Sequence, residues 1–197
     1  VHMSRGLGDV YKRQSSHNGM VHVRGNAKDF DNWGQLGLTD WTYDKVLPYF
    51  KKSESIEGLD SNFRGESGPL KLSRSPNGNI LSQVYLNAAQ QAGYQINNDM
   101  NGERQEGFGL MDTTIFNGKR QSTSVTYLHP IKHRSNLEIL TNVTVNKILF
   151  EDKKAVGVEC KANGENKKYF SSKEVLLSAG AINSPQLLML SGIGPEN

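Results

Sequence analysis

An α/β fold is predicted by three stretches of this 197-residue sequence. The first is residues 174–194. An apolar run, Val175, Leu176 and Leu177, has the length and composition of a strand buried on both faces, and it stops at the small residues Ala179 and Gly180. Ser184 then stands where an N-cap would, Pro185 suits the first helical position, and Gly192 closes the segment. The second stretch, residues 79–93, carries Leu81, Val84, Tyr85, Ala88, Ala89 and Ala92 at helical spacing, with Gly93 as the stop. That stripe is expected to face a core. The third is β-rich: residues 143–150, 155–160 and 168–170 read as strands, and Asn163-Gly164 as the two-residue turn joining the last two.

Composition narrows the function. A net charge of +3, with no Lys/Arg cluster interleaved with aromatics, lacks the electrostatic footprint of a nucleic-acid binder. The single Cys160 excludes an intramolecular disulfide and a cysteine-based metal site, and reads as a small core residue on a strand. No apolar run approaches the roughly twenty residues of a bilayer span, and no signal-peptide core is visible, so a cytoplasmic setting is expected.

Residues 1–14 have neither periodicity nor a strand before their glycines. Gly6 and Gly8 suggest GxGxxG, but Tyr11 stands where the third glycine belongs. This segment reads as an artefactual leader. Val21-His22-Val23 forms a strand pattern that makes His22 structural, and Thr42 is expected to cap a helix bearing Val46, Leu47 and Phe50, kinked by Pro48. Residues 62–68 read as a loop, 69–73 as an alternating strand, and 108–116 as a strand before the turn Asn117-Gly118. Residues 137–140 are also β-rich. The carboxylates and amides of residues 97–109 lack the spacing of an EF-hand, so no metal is expected. Ser122 reads as a helix cap rather than a nucleophile, since no Gly-x-Ser-x-Gly elbow exists.

The run from Gly180 through Asn183-Ser184-Pro185-Gln186 to Gly194 resembles, position for position, the second signature of the glucose-methanol-choline (GMC) oxidoreductase family. Residues 15–26 resemble its first signature region. Trp33, Trp41, Thr42, Tyr43, Leu47, Pro48, Tyr49 and Phe50 follow another family pattern, and residues 98–109 are close to its choline dehydrogenase-like version. Arg120-Gln121-Ser122-Thr123 and the strand around Val145 also recur there. The resemblance implies an α/β partial FAD-binding, Rossmann-like domain with inserted lid and substrate-domain elements. On that reading residues 15–35 are the flavin loop, 36–130 the lid and substrate-domain elements, and 131–197 a second FAD-binding segment.

The resemblance also implies site residues. Ser16, Asn18, Gly19 and Met20 carry over as FAD contacts, with Gly19 admitting close backbone approach and the Asn18 amide offering a donor and an acceptor. His17 stands where choline oxidase-like members join a histidine covalently to the flavin; a histidyl-FAD bond and a hydrogen-bonding neighbour are the two readings. Val145 carries over as a main-chain contact to the adenine, and Ala179 and Gly180 as the turn of the signature βα unit. The activity implied is oxidation of a small-molecule primary alcohol by hydride transfer to flavin N5, with the electron acceptor open. The family's catalytic histidine lies beyond Asn197, so no residue here is assigned as catalytic, and the isolated chain is expected to bind FAD poorly and turn over nothing. The alternative is a non-catalytic α/β flavin-binding or interaction module.

Overall fold

A computed structural model describes residues 2–3, 18–74 and 79–195. In chain order its elements are β1 (His2–Met3), β2 (Val21–His22), α1 (Ala27–Gln35), α2 (Tyr43–Ser53), β3 (Glu54–Ser55), β4 (Leu70–Lys71), β5 (Ser73–Arg74), α3 (Ile80–Gln91), β6 (Asp112–Thr113), β7 (Ile115–Phe116), β8 (Lys119–Arg120), β9 (Val143–Glu151), β10 (Lys154–Ala162), β11 (Glu165–Phe170), β12 (Leu176–Leu177) and α4 (Gly180–Leu190). They fall into two compact units, one within His17–Ile131 and one built on Lys132–Asn197.

In the first unit, helix ends are set by side chains the sequence supplies locally. The Asn26 side chain accepts from the Lys28 N–H at the start of α1, and Asn79 accepts from the Leu81 N–H at the start of α3. Thr42 occupies the N-cap of α2, but its hydroxyl donates to the Asp44 carboxylate. The Tyr43 N–H is instead satisfied by Asp31 Oδ1 at 3.0 Å, so α1 caps α2. Phe30 sits between Trp33, Tyr43 and Phe50, at centroid distances of 5.2, 6.3 and 5.6 Å, and joins the two helices. Pro48 lies inside α2 as expected.

The strands here are short. β2, β6 and β5 form an antiparallel sheet with β6 in the middle, β3 pairs with β4 in parallel, and β7 and β8 form a hairpin. The turn of that hairpin places Asn117 at φ 50° and Gly118 at φ 70°, the left-handed pair that the Asn-Gly signal anticipates. The single strands expected at 69–73 and 108–116 are each broken in two, at Leu72 and at Thr114.

The second unit is built on a three-stranded antiparallel sheet, β11-β10-β9, with α4 packed on it. Its core is Val145, Ile148, Val158, Cys160 and Leu187, and Cys160 is fully buried. The Ile148 N–H donates to Ser191 Oγ at 2.8 Å, and that hydroxyl donates onward to the Leu187 carbonyl at 2.6 Å. One serine thus ties the last turn of α4 to the edge of β9. Asn163 and Gly164, at φ 52° and 87°, make the expected turn between β10 and β11.

Four further expectations change. Helix α4 begins at Gly180, not Ser184, so Pro185 lies inside it; Ser184 Oγ accepts from the Ala179 N–H at 3.1 Å, satisfying the N-cap from within the first turns. Strand β12 pairs with β1 in parallel, but Leu176 is 40% exposed rather than buried on both faces. Residues 137–140 form no strand and are mostly exposed, because nothing among the described residues pairs with them. Along α3 only Ala89 is buried, while Leu81, Val84 and Tyr85 are 71%, 55% and 62% exposed. Periodicity specifies an apolar face, not what covers it.

Truncating the side chain at the centre of the second unit should be costly. Leu187→Ala is expected to destabilise the chain by about 2–5 kcal/mol, read as a lower urea midpoint at unchanged slope.

Candidate functional site

The turn at residues 18–20 shows how the first unit builds a fixed loop. The Met20 N–H donates to Asn18 Oδ1 at 3.0 Å, closing an Asx turn. Met20 has φ 62°, a left-handed conformation that a residue with a side chain adopts only when its surroundings impose it. They do so here: the Thr114 N–H and hydroxyl both donate to the Met20 carbonyl, at 2.7 and 3.3 Å. From the β7–β8 hairpin, Arg120 Nη1 donates to the Asn18 carbonyl and to Asn18 Oδ1, both at 2.9 Å. Space beyond Gly19 is open, with nothing within 4 Å of where a Cβ would stand.

Immediately after this turn the chain enters a buried ionic cluster. Glu54, at the end of α2, has a side chain with no exposure. It receives Arg24 Nη2 at 2.6 Å and Arg64 Nε at 2.8 Å, a Gly65 N–H at 3.0 Å, and stands 3.0 Å from His22 Nε2. Arg64 also reaches Asp99 at 2.5 Å and Asp112 at 2.8 Å, and Arg74 reaches Asp112 at 3.1 Å. Three guanidinium groups therefore face three carboxylates. Asn101 completes the cluster by accepting from the Arg24 N–H at 2.7 Å and donating to the His22 carbonyl at 2.9 Å. Room for this packing depends on Gly65, where an added Cβ would lie 1.9 Å from the Lys51 carbonyl oxygen.

Burial would raise the Glu54 carboxyl, but the hydrogen bonds from His22, Arg64 and Gly65 and the charge of Arg24 outweigh it and lower it from 4.5 to about 2. Burial alone would depress Arg64; its hydrogen bond to Glu54 and the charges of Glu54, Asp112 and Asp99 raise it instead.

The sequence-predicted site residues fall in three places. Ser16 and His17 lie outside the described residues. Asn18, Gly19 and Met20 form the turn above. In the second unit, Val145 is 2% exposed in β9 with its side chain in the core. Ala179 is the N-cap of α4 and Gly180 follows at φ 89°, with open space where a Cβ would point. Sequence reasoning treated His22 as structural, and its bond to Glu54 accounts for it. It placed Arg120 in a run shared with the family but gave it no role, and it missed the ionic cluster. The available signals were glycines next to arginines, at Arg24-Gly25 and Arg64-Gly65, and an arginine just after an Asn-Gly hairpin turn. Ser122 Oγ accepts from the Val125 N–H at 3.3 Å, the capping role expected of it.

Because the Glu54 carboxyl is lowered in the folded chain, the unfolded chain binds its proton more readily. The stabilisation is complete above about pH 4.5 and is lost as pH falls towards 2. Glu54→Gln is expected to cost about 3–5 kcal/mol near neutral pH and to flatten that acid-range dependence, both measured by urea unfolding across pH.

Comparison with known proteins bears on what this frame carries. The chain is 50% identical over 187 residues to the mitochondrial choline dehydrogenase of Homo sapiens, covering 95% of this chain and 32% of that one. It is 46% identical over 188 residues to the oxygen-dependent choline dehydrogenase of Rhizobium johnstonii, covering 95% and 34%. It thus spans about a third of the length of these curated relatives. Among solved structures, pyridoxine 4-oxidase from Mesorbium loti superposes with a TM-score of 0.87 at 28% identity, over 92% of this chain and 36% of that one. An FAD-dependent oxidoreductase from Chaetomium thermophilum superposes with a TM-score of 0.86 at 32% identity, over 92% and 34%. The α/β expectation therefore holds, with the fold of part of an FAD-binding, Rossmann-like enzyme. The family model described as GMC oxidoreductase matches residues 14–197, and the chain belongs to that family.

Proposed function

We propose that the protein to which this chain belongs is an FAD-dependent oxidoreductase acting on the CH–OH group of a small primary alcohol, of the choline dehydrogenase type. The observation that carries this reading is 50% identity over 187 residues to a choline dehydrogenase. The residues present suit the cofactor. Asn18 has its carbonyl oxygen and Oδ1 engaged by Arg120, and its Nδ2 has no partner among the described residues. It can therefore donate to one of the acceptor atoms that an isoalloxazine ring carries. Gly19 and Gly180 leave open space where side chains would otherwise stand.

When bound, FAD supplies at flavin N5 an acceptor for the hydride leaving the carbinol carbon. The chain's own part is to hold and orient. Asn18, Gly19 and Met20 present a fixed loop edge, with Ser16 and His17 preceding it. Val145 contributes main chain beside the adenine, while Ala179 and Gly180 admit close approach at the end of β12. Segments 15–35 and 131–197 supply FAD-binding elements, and 36–130 the lid and substrate-domain elements, with Phe30 of the first packed on Tyr43 and Phe50 of the lid segment. His17 is proposed as a point of covalent attachment to FAD. No general base is assigned among these residues, and the isolated chain is expected to turn over nothing.

The test uses the full-length protein carrying this segment. It is expected to purify yellow, and choline or a related primary alcohol added without oxygen should bleach the flavin absorbance. After acid denaturation the yellow should stay with the protein and be released in His17→Ala. A flavin that washes away leaves FAD non-covalent, a flavin that no alcohol bleaches favours the non-catalytic module, and absence of flavin overturns the reading.

A further inference from the structure

We propose that Arg120 is a positioning residue for the flavin, acting through Asn18. The inference rests on the reading of residues 18–20 as a flavin-contacting loop and goes beyond it by naming what sets the loop's hydrogen-bonding polarity. An exposed asparagine is free to present either end of its amide. Here one nitrogen of Arg120 donates to both the main-chain oxygen and Oδ1 of Asn18, at 2.9 Å each, and the Met20 N–H donates to the same Oδ1 at 3.0 Å. A flipped amide would turn Nδ2 towards two donors. The oxygen end is therefore committed inward, and Nδ2 is the group Asn18 can offer a ligand.

The second observation is backbone strain. Met20 is held in the left-handed region by the Thr114 bonds to its carbonyl and by Asn18 Oδ1, and Asn18 is in turn held by Arg120. Thr114 and Arg120 flank the same short hairpin, about a hundred residues from the loop in sequence. A strained turn persists only where such distant contacts over-determine it. The hairpin therefore acts as a template that sets both the backbone of the loop and the direction in which the Asn18 amide donor points. Loss of the guanidinium would let the amide rotate, and the donor would spend part of its time as an acceptor facing the same ligand.

The experiment measures the flavin midpoint potential in the full-length protein, which works whether or not the cofactor is covalent, for wild type, Asn18→Ala, Arg120→Met and the double variant. Each single variant is expected to shift the flavin redox equilibrium in the same direction by about tenfold, about 30 mV for a two-electron couple. The double variant is expected to shift it no further than the larger single one, because both remove the same donor. In the His17→Ala protein stripped of flavin, Arg120→Met should also speed hydrogen exchange at the Met20 amide on the order of tenfold. If Arg120→Met does not fold, Arg120→Lys carries the comparison, since it keeps the charge without the guanidinium fork. Additive shifts would mean a direct charge effect of Arg120 and would overturn the inference, as would unchanged exchange at Met20. A shift with Asn18→Ala but none with Arg120→Met overturns it while leaving the loop reading intact. No shift with Asn18→Ala removes the loop reading, and this inference with it.

Discussion

A carboxylate without solvent, Glu54, is the constraint on which the first unit depends. A lone buried charge of that kind is costly, and it is tolerated because Arg24, Arg64, the Gly65 amide and His22 converge on it. The partners come from two stretches, His22 and Arg24 on one side and Arg64 and Gly65 on the other. Meeting around one carboxylate, they fix where β2 leaves the residue 18–20 turn, where α2 ends, and how the 97–105 loop folds back through Asn101 and Gln105. Strands of two residues have little cohesion of their own. The charge cluster substitutes for the long ladders that would otherwise hold them in register.

That arrangement also separates rigidity from exposure. The turn at 18–20 is open to solvent, yet it is fastened on one side by the hairpin at 114–120 and on the other by the cluster that receives His22 and Arg24. Loops that carry function are usually positioned by a scaffold in this way. Here the scaffold is polar, and its specificity comes from directional hydrogen bonds rather than from apolar volume.

Much of the fold was legible because it is local. Asn117-Gly118 and Asn163-Gly164 need left-handed backbone at both positions and name their hairpins. Gly93 and Gly192, at φ 87° and 86°, end α3 and α4 where the pattern stops. What was not legible is non-local. Ser184-Pro185 looks like a helix start, but the Ser184 hydroxyl reaches back to the Ala179 amide and the helix begins earlier. The carboxylates of residues 97–109 could be read only as lacking EF-hand spacing, because the partner of Asp99, Arg64, lies 35 residues away. For the site, the residues carried by family resemblance could be named one by one, whereas Arg120, though in a recurring run, could be given no role, since nothing in an Asn-Gly-Lys-Arg string says which loop the arginine will reach.

The three-stranded sheet of the second unit has two outer strands, and each is treated differently. β9 gives one of its main-chain donors, Ile148 N–H, to Ser191 at the end of α4. β11 carries Lys167 and Lys168 along its length, both largely exposed. An unpaired strand is a template for another chain, and a serine plug on one side with lysines on the other discourages that addition. The same sheet that supports a helix is thereby discouraged from growing into an aggregate with its own copies, though no strand among the described residues covers either side.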